Sequence, residues 1–162
     1  LIAAYAEKYN ETSFAANPWH FWDGNISTGN NNDMVTNTYA FEGGSLTKYA
    51  NNSVGASKNG DAVEIQLVKV EGKDNTYYIK LGDQYVAASY DKRKLSLTST
   101  PAEWIAENHK DGGIVLHHYV GSGFVTLGFG GAATNMIRAY KNSDATTMNT
   151  GIKAGLYFFA KN

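Results

Sequence analysis

A chain of 162 residues is the size of one domain and long enough to bury a core without metal or disulfide staples. Hydrophobic residues make up 43% and charged residues 18%, with a formal net charge of −1, which speaks against a disordered tail and against a binder that relies on bulk attraction to nucleic acid. The absence of cysteine excludes disulfides, thiol nucleophiles and cysteine-ligated metals, and no apolar run approaches the roughly 20 residues of a membrane helix.

The 11 Tyr, 7 Phe and 3 Trp, set among 17 Gly and only 2 Pro, suit strands joined by tight turns. The chain opens on Leu1-Ile2-Ala3-Ala4-Tyr5, which reads as the body of a strand with no charged signal-peptide segment before it. We therefore expect a piece processed or excised from a longer precursor, placed outside the cell or on its surface.

From about Lys8 to Asn37 the sequence is rich in Asn, Gly and aromatics and reads as a long insertion. It holds Trp19-His20-Phe21-Trp22 followed by Asp23-Gly24-Asn25. Aromatic faces stack on the C–H surfaces of sugar rings, and Asp or Asn side chains bind hydroxyl pairs. Trp19, Phe21, Trp22, Asp23 and Asn25 are therefore the candidate ligand-binding residues. The competing reading is that one or both tryptophans fold back to plug the end of a barrel. Asp23, Asn25 and Ser27 alternate like the oxygen ligands of a calcium loop. However, Thr28 stands where the sharp-turn Gly belongs and Met34 where the bidentate Glu belongs, so neither metal nor cofactor is expected.

Further along, Tyr39–Phe41 and Ser45–Tyr49 read as short strands, and Val63, Ile65 and Leu67 alternate with Glu64 and Gln66 in a strand running to Val70. Thr76–Leu81 meets Gln84–Ala88 across Gly82-Asp83, a hairpin signal. Strands follow at Leu95–Thr98, Glu103–Glu107, Ile114–Tyr119, Phe124–Phe129, Met136–Tyr140 and Leu156–Ala160. Neighbouring residues of a strand face opposite ways, so His117 and His118 cannot share an ion; one is expected in the core and hydrogen-bonded, the other exposed. Trp104 reads as a core residue.

No catalytic motif emerges. There is no G-x-S-x-G, Gly121-Ser122-Gly123 reads as a hairpin turn, and Gly128-Phe129-Gly130-Gly131 lacks the Lys of a phosphate loop. Glu42, Glu64, Glu71, Glu103 and Glu107 offer carboxylates, but their spacing sets no two at a working separation. The chain is accordingly read as a non-enzyme.

The strands repeat. Residues 77 to 108 align with 114 to 162 as hairpin, third strand and aromatic fourth strand, and a looser copy runs from Leu1 through Tyr39–Phe41 and Ser45–Tyr49 to Val70. Three four-strand units, bounded at 1–72, 73–112 and 113–162, predict an all-β fold of β-trefoil-like barrel type. Another small β-barrel or a β-sandwich is the alternative.

The stretches Tyr77-Tyr78-Ile79-Lys80-Leu81, Gln84-Tyr85-Val86-Ala87, Leu95-Ser96-Leu97, Pro101-Ala102-Glu103-Trp104 and Arg138-Ala139-Tyr140-Lys141 resemble accessory β-domains of secreted or surface proteins of gut Bacteroidetes. The likeness covers roughly residues 60 to 162 and implies an accessory, glycan-facing module beside a larger protein. The function expected is a non-catalytic extracellular carbohydrate-binding or adhesive module using loop aromatics, with a glycan or surface protein as partner. No nucleic acid and no membrane insertion is expected. The alternatives are a structural or protein-interaction domain, or an inhibitor-like trefoil that inserts its long loop into a protease.

Overall fold

The computed structural model describes residues 2–5, 19–28, 32–38, 63–89, 94–109, 112–121, 123–129, 136–142 and 155–158. Every regular element among them is a strand: β1 (Ile2–Tyr5), β2 (Trp19–Ile26), β3 (Met34–Thr38), β4 (Gln66–Lys69), β5 (Thr76–Leu81), β6 (Gln84–Ala88), β7 (Leu95–Thr98), β8 (Glu103–Asn108), β9 (Ile114–Val120), β10 (Gly123–Phe129), β11 (Met136–Asn142) and β12 (Leu156–Phe158). All pair antiparallel in one sheet that curls into a nearly closed barrel. The ring β9-β10-β11-β3-β2-β1-β12 returns to β9.

The pairing repeats along the chain. The runs β1-β2-β3, β5-β6-β7 and β9-β10-β11 each join three consecutive strands, and β4, β8 and β12 then pair with β5, β9 and β1 respectively. In the second and third runs the first strand also pairs with the fourth, as β5–β8 and β9–β12. A β1–β4 pairing is not among those of the described residues.

Turn chemistry explains the tight hairpins. Leu81 and Gln84 flank a two-residue turn in which Gly82 takes a φ of 57° while Asp83 stays on the negative side, the pattern of a II′ turn. The core draws on all three runs: Ile2, Ile79 and Leu116 come from first strands, and Trp104 and Leu156 from fourth strands. The fully buried Trp104 satisfies its indole N–H by donating to the carbonyl of Val86 at 2.8 Å. At the β9–β12 seam two glycines let backbones touch. A Cβ on Gly155 would lie 2.6 Å from the Gly112 carbonyl oxygen and 2.7 Å from the Gly113 carbonyl carbon.

The stretch from 8 to 37 departs from the loop expected there. Its described part carries β2, extended beside β1, and most of β3, while Tyr39–Phe41 and Ser45–Tyr49 lie outside the described residues. Asp23-Gly24-Asn25, which looks like a turn, is a bulge inside β2. Trp22 pairs with Thr36 and Ile26 with Met34, so four steps along β2 match two along β3. Gly24 supplies the φ of 92° that the bulge needs. The turn proper follows it, closed by Ser27 N donating to the Asp33 carbonyl (2.8 Å) and Asp33 N donating to Ser27 Oγ (3.0 Å).

Candidate functional site

Two of the three candidate aromatics, Phe21 and Trp22, are buried. Phe21 is 3% exposed and Trp22 0%, the latter inside the main core cluster. Trp22 Nε1 donates to the carbonyl of Asn25 at 2.7 Å, and Asn25 N donates to Asp23 Oδ1 at 2.8 Å. Asp23 and Asn25 thus brace the bulge that carries Trp22 into the core, an Asx-turn role. Trp19 enters β2 opposite Tyr5, and its side chain lies outside the described residues.

A different aromatic is presented to solvent. Tyr119, 59% exposed, is the one largely exposed aromatic side chain among the described residues. It is held from behind: its ring lies 5.4 Å from that of Phe124, its cross-strand partner, and Phe124 meets the edge of His117 at 5.7 Å. The chain of rings from the core His117 outward gives Tyr119 a fixed orientation, which lowers the entropy lost when a ligand stacks on it.

Tyr119 borders a groove of about 580 Å³ between the end of β7, the start of β8 and the end of β9. Its polar groups are Thr98, Thr100, Glu103 and His118, and Ala87, Pro101 and Ile105 supply apolar wall. Thr98 Oγ1 donates to the Thr100 carbonyl at 2.8 Å, which fixes the hydroxyl and leaves its lone pairs to accept. Glu103 is anchored by Lys73 Nζ at 2.6 Å. With both side chains half-exposed that ion pair adds little stability, about 0–1 kcal/mol, but it orients the carboxylate. His118 lies against the Trp104 ring (5.1 Å) and its Nδ1 is 2.9 Å from the Glu103 carbonyl oxygen. A carbonyl only accepts, so Nδ1 carries a proton and donates to it.

The adjacent histidines face opposite ways, as strand geometry requires, but neither is exposed as one was expected to be: His118 is half-buried against Trp104. His117 is 2% exposed, with Nδ1 2.8 Å from Thr126 Oγ1 and Nε2 3.0 Å from Glu107 Oε2. Burial pushes its pKa below the ordinary 6.5, outweighing the hydrogen bond and charge of Glu107, which act to raise it. The imidazole is therefore neutral at pH 7, donating from Nε2 to Glu107 and accepting from Thr126. Below about pH 6.5 the unfolded chain binds a proton that the folded chain resists, so this group's contribution to stability is full above the unfolded pKa and falls as pH drops through it. Denaturant melts at pH 7.5 and 5.5 check this: His117→Gln is expected to flatten part of the acid-side loss.

Glu103 and Glu107 lie on the same face of β8. Each is engaged separately, Glu103 by Lys73 and Glu107 by His117, and their Cα atoms lie about 13 Å apart along β8. Among the described residues no three of His, Asp and Glu come together as a metal site would require.

These features define an all-β, barrel-like domain with a surface groove bordered by Tyr119. Set against models of protein families, curated proteins and solved structures, the chain matches none.

Proposed function

We propose that the chain is a non-catalytic carbohydrate-binding or adhesive module of an extracellular or cell-surface protein, and that its sugar lies in the groove bordered by Tyr119. The observation that carries this reading is the buttressed, exposed Tyr119 bordering a groove that also holds the Thr98 hydroxyl and the Glu103 carboxylate. A sugar ring offers an apolar C–H face to the ring and hydroxyl donors to the wall, and the groove's volume suits one or two sugar units. Phe21 and Trp22 are not part of this site because both rings are buried. We read the architecture as a β-trefoil-like barrel of units 1–72, 73–112 and 113–162. The repeated hairpin runs and the pairing of each fourth strand with the next first strand support it. An accessory role beside a larger protein, as in the Bacteroidetes domains the sequence resembles, fits such a module.

A glycan array followed by calorimetry on the retained sugar tests the reading. Tyr119→Ala is expected to weaken binding about tenfold or more, the loss of one stacked ring, with an unchanged melting temperature because the side chain is exposed. Tyr119→Trp is expected to keep or raise affinity. Retention of no glycan, or equal affinity in Tyr119→Ala, contradicts the proposal.

A further inference from the structure

The groove bordered by Tyr119 is lined unevenly, and the unevenness selects among sugars. Glu103, Ile105 and Tyr119 all line it from one face of β8 and β9. Trp104, between the first two, points the other way into the core. Ile105 lies opposite His117, and the same register continued by two residues carries Glu103 towards Tyr119. Glu103 and Ile105 stand roughly 7 Å apart along the strand, so a carboxylate and a branched hydrocarbon sit side by side next to the tyrosine.

Ala87 and Pro101 add apolar surface to that of Ile105. A plain hexose carries a hydroxyl on nearly every ring carbon and would press some of them against this wall, where a hydroxyl loses water and gains no partner. Lys73 Nζ is bonded to Glu103 at Oε2, and a carboxylate has room for about four hydrogen bonds, so it can accept from a ligand as well. The ammonium beside it offsets its charge, which removes the pull on a cationic sugar.

We propose that the sugar bound here is an N-acetylhexosamine, an inference that rests on the glycan-binding reading above. Its ring stacks on Tyr119, its acetamido N–H donates to the Glu103 carboxylate, and its methyl is seated against Ile105. An acetamido group is a planar trans amide, which sets the N–H and the methyl side by side on one edge and the carbonyl on the other. That edge matches the side-by-side carboxylate and hydrocarbon of β8. A free amino sugar brings a charge towards Lys73, and a plain hexose sets a hydroxyl against Ile105.

The glycan array on the full chain is followed by nuclear magnetic resonance titration with methyl N-acetyl-β-glucosaminide and methyl N-acetyl-β-galactosaminide, each beside its parent hexoside and its free amine. Retained glycans are expected to expose an acetamido sugar. At least one acetamido glycoside is expected to shift Glu103, Ile105 and Tyr119 and to bind about tenfold tighter than its parent and its amine. Glu103→Gln removes the charge of the acceptor, and Ile105→Thr keeps the branched shape but makes the wall polar. Each is expected to cut the preference to about threefold, with the fold read from the same spectra. Tyr119→Ala is expected to weaken acetamido and parent glycosides alike. Retention only of glycans without an acetamido group, a parent or amine bound as tightly at these residues, or a preference undiminished in both variants overturns the inference and leaves the groove a sugar site. No retained glycan, or shifts that miss Tyr119, overturns it together with the reading it rests on.

Discussion

Trp22→Ala is expected to lower the unfolding free energy by about 3–5 kcal/mol, the range for removing a large aromatic from a packed core. The side chain is wholly buried among core residues, so truncation leaves a cavity that strands fixed by their ladders cannot fully close. It also removes the donor to the Asn25 carbonyl and unties the bulge, which is linked onward by Val63 N donating to the Trp22 carbonyl at 3.1 Å. A urea melt reads the result directly as a lowered midpoint. A loss below about 1 kcal/mol together with weakened sugar binding would mean instead that the indole faces solvent, as a binding aromatic does.

Gly155→Ala is expected to cost about 3 kcal/mol or more, at the upper end of overpacking penalties. Most overpacked sites relax by turning a side chain aside. Here the added methyl meets only backbone, at 2.6 to 2.8 Å from Gly112 O, Gly113 C and Ile114 N. Relief therefore requires β12 and β9 to separate, and a single register pair, Leu156 with Ile114, joins them. Because β12 also pairs with β1, the same movement loosens the closure of the ring. Thermal unfolding followed by near-ultraviolet dichroism checks it, since loosening at the seam lowers the melting temperature while the β content persists. An unchanged melting temperature would mean that the two strands do not approach as described.

The second and third runs of strands were legible in the sequence because short apolar stretches alternate there with Gly-centred turns. The hairpin across Gly82-Asp83 and the seven strands from Gln84 onward stand within a residue or two of where patterning places them. In the first run only β1 was legible, and the rest was not, for a physical reason. Asp, Gly and Asn signal a turn because they tolerate unusual backbone angles, and a bulge inside a strand uses the same tolerance. Asp23-Gly24-Asn25 thus reads as part of a long insertion, whereas it continues β2 past a kink and seats Trp22, expected as a ligand-binding residue, in the core.

The groove bordered by Tyr119 was hidden for another reason. Nothing local distinguishes Tyr119 from the other ten tyrosines; its exposure follows from β9 running past the part of it that β8 covers. Pairing with β8 spans Ile114 to His117, so Tyr119 lies beyond the last covered position. Cross-strand partners separated widely in sequence, such as Lys73 and Glu103, complete the site, and only the fold brings them together. The opposite faces of His117 and His118, by contrast, were readable from the two-residue period of a strand alone.

The most direct test of the glycan-binding account is a nuclear magnetic resonance titration of isotope-labelled protein with the sugar retained on the array. The account predicts amide and ring shifts centred on Thr98, Glu103, His118 and Tyr119, with Phe21 and Trp22 unmoved. Shifts centred on residues 19 to 25, or none at Tyr119 under saturating sugar, would contradict it.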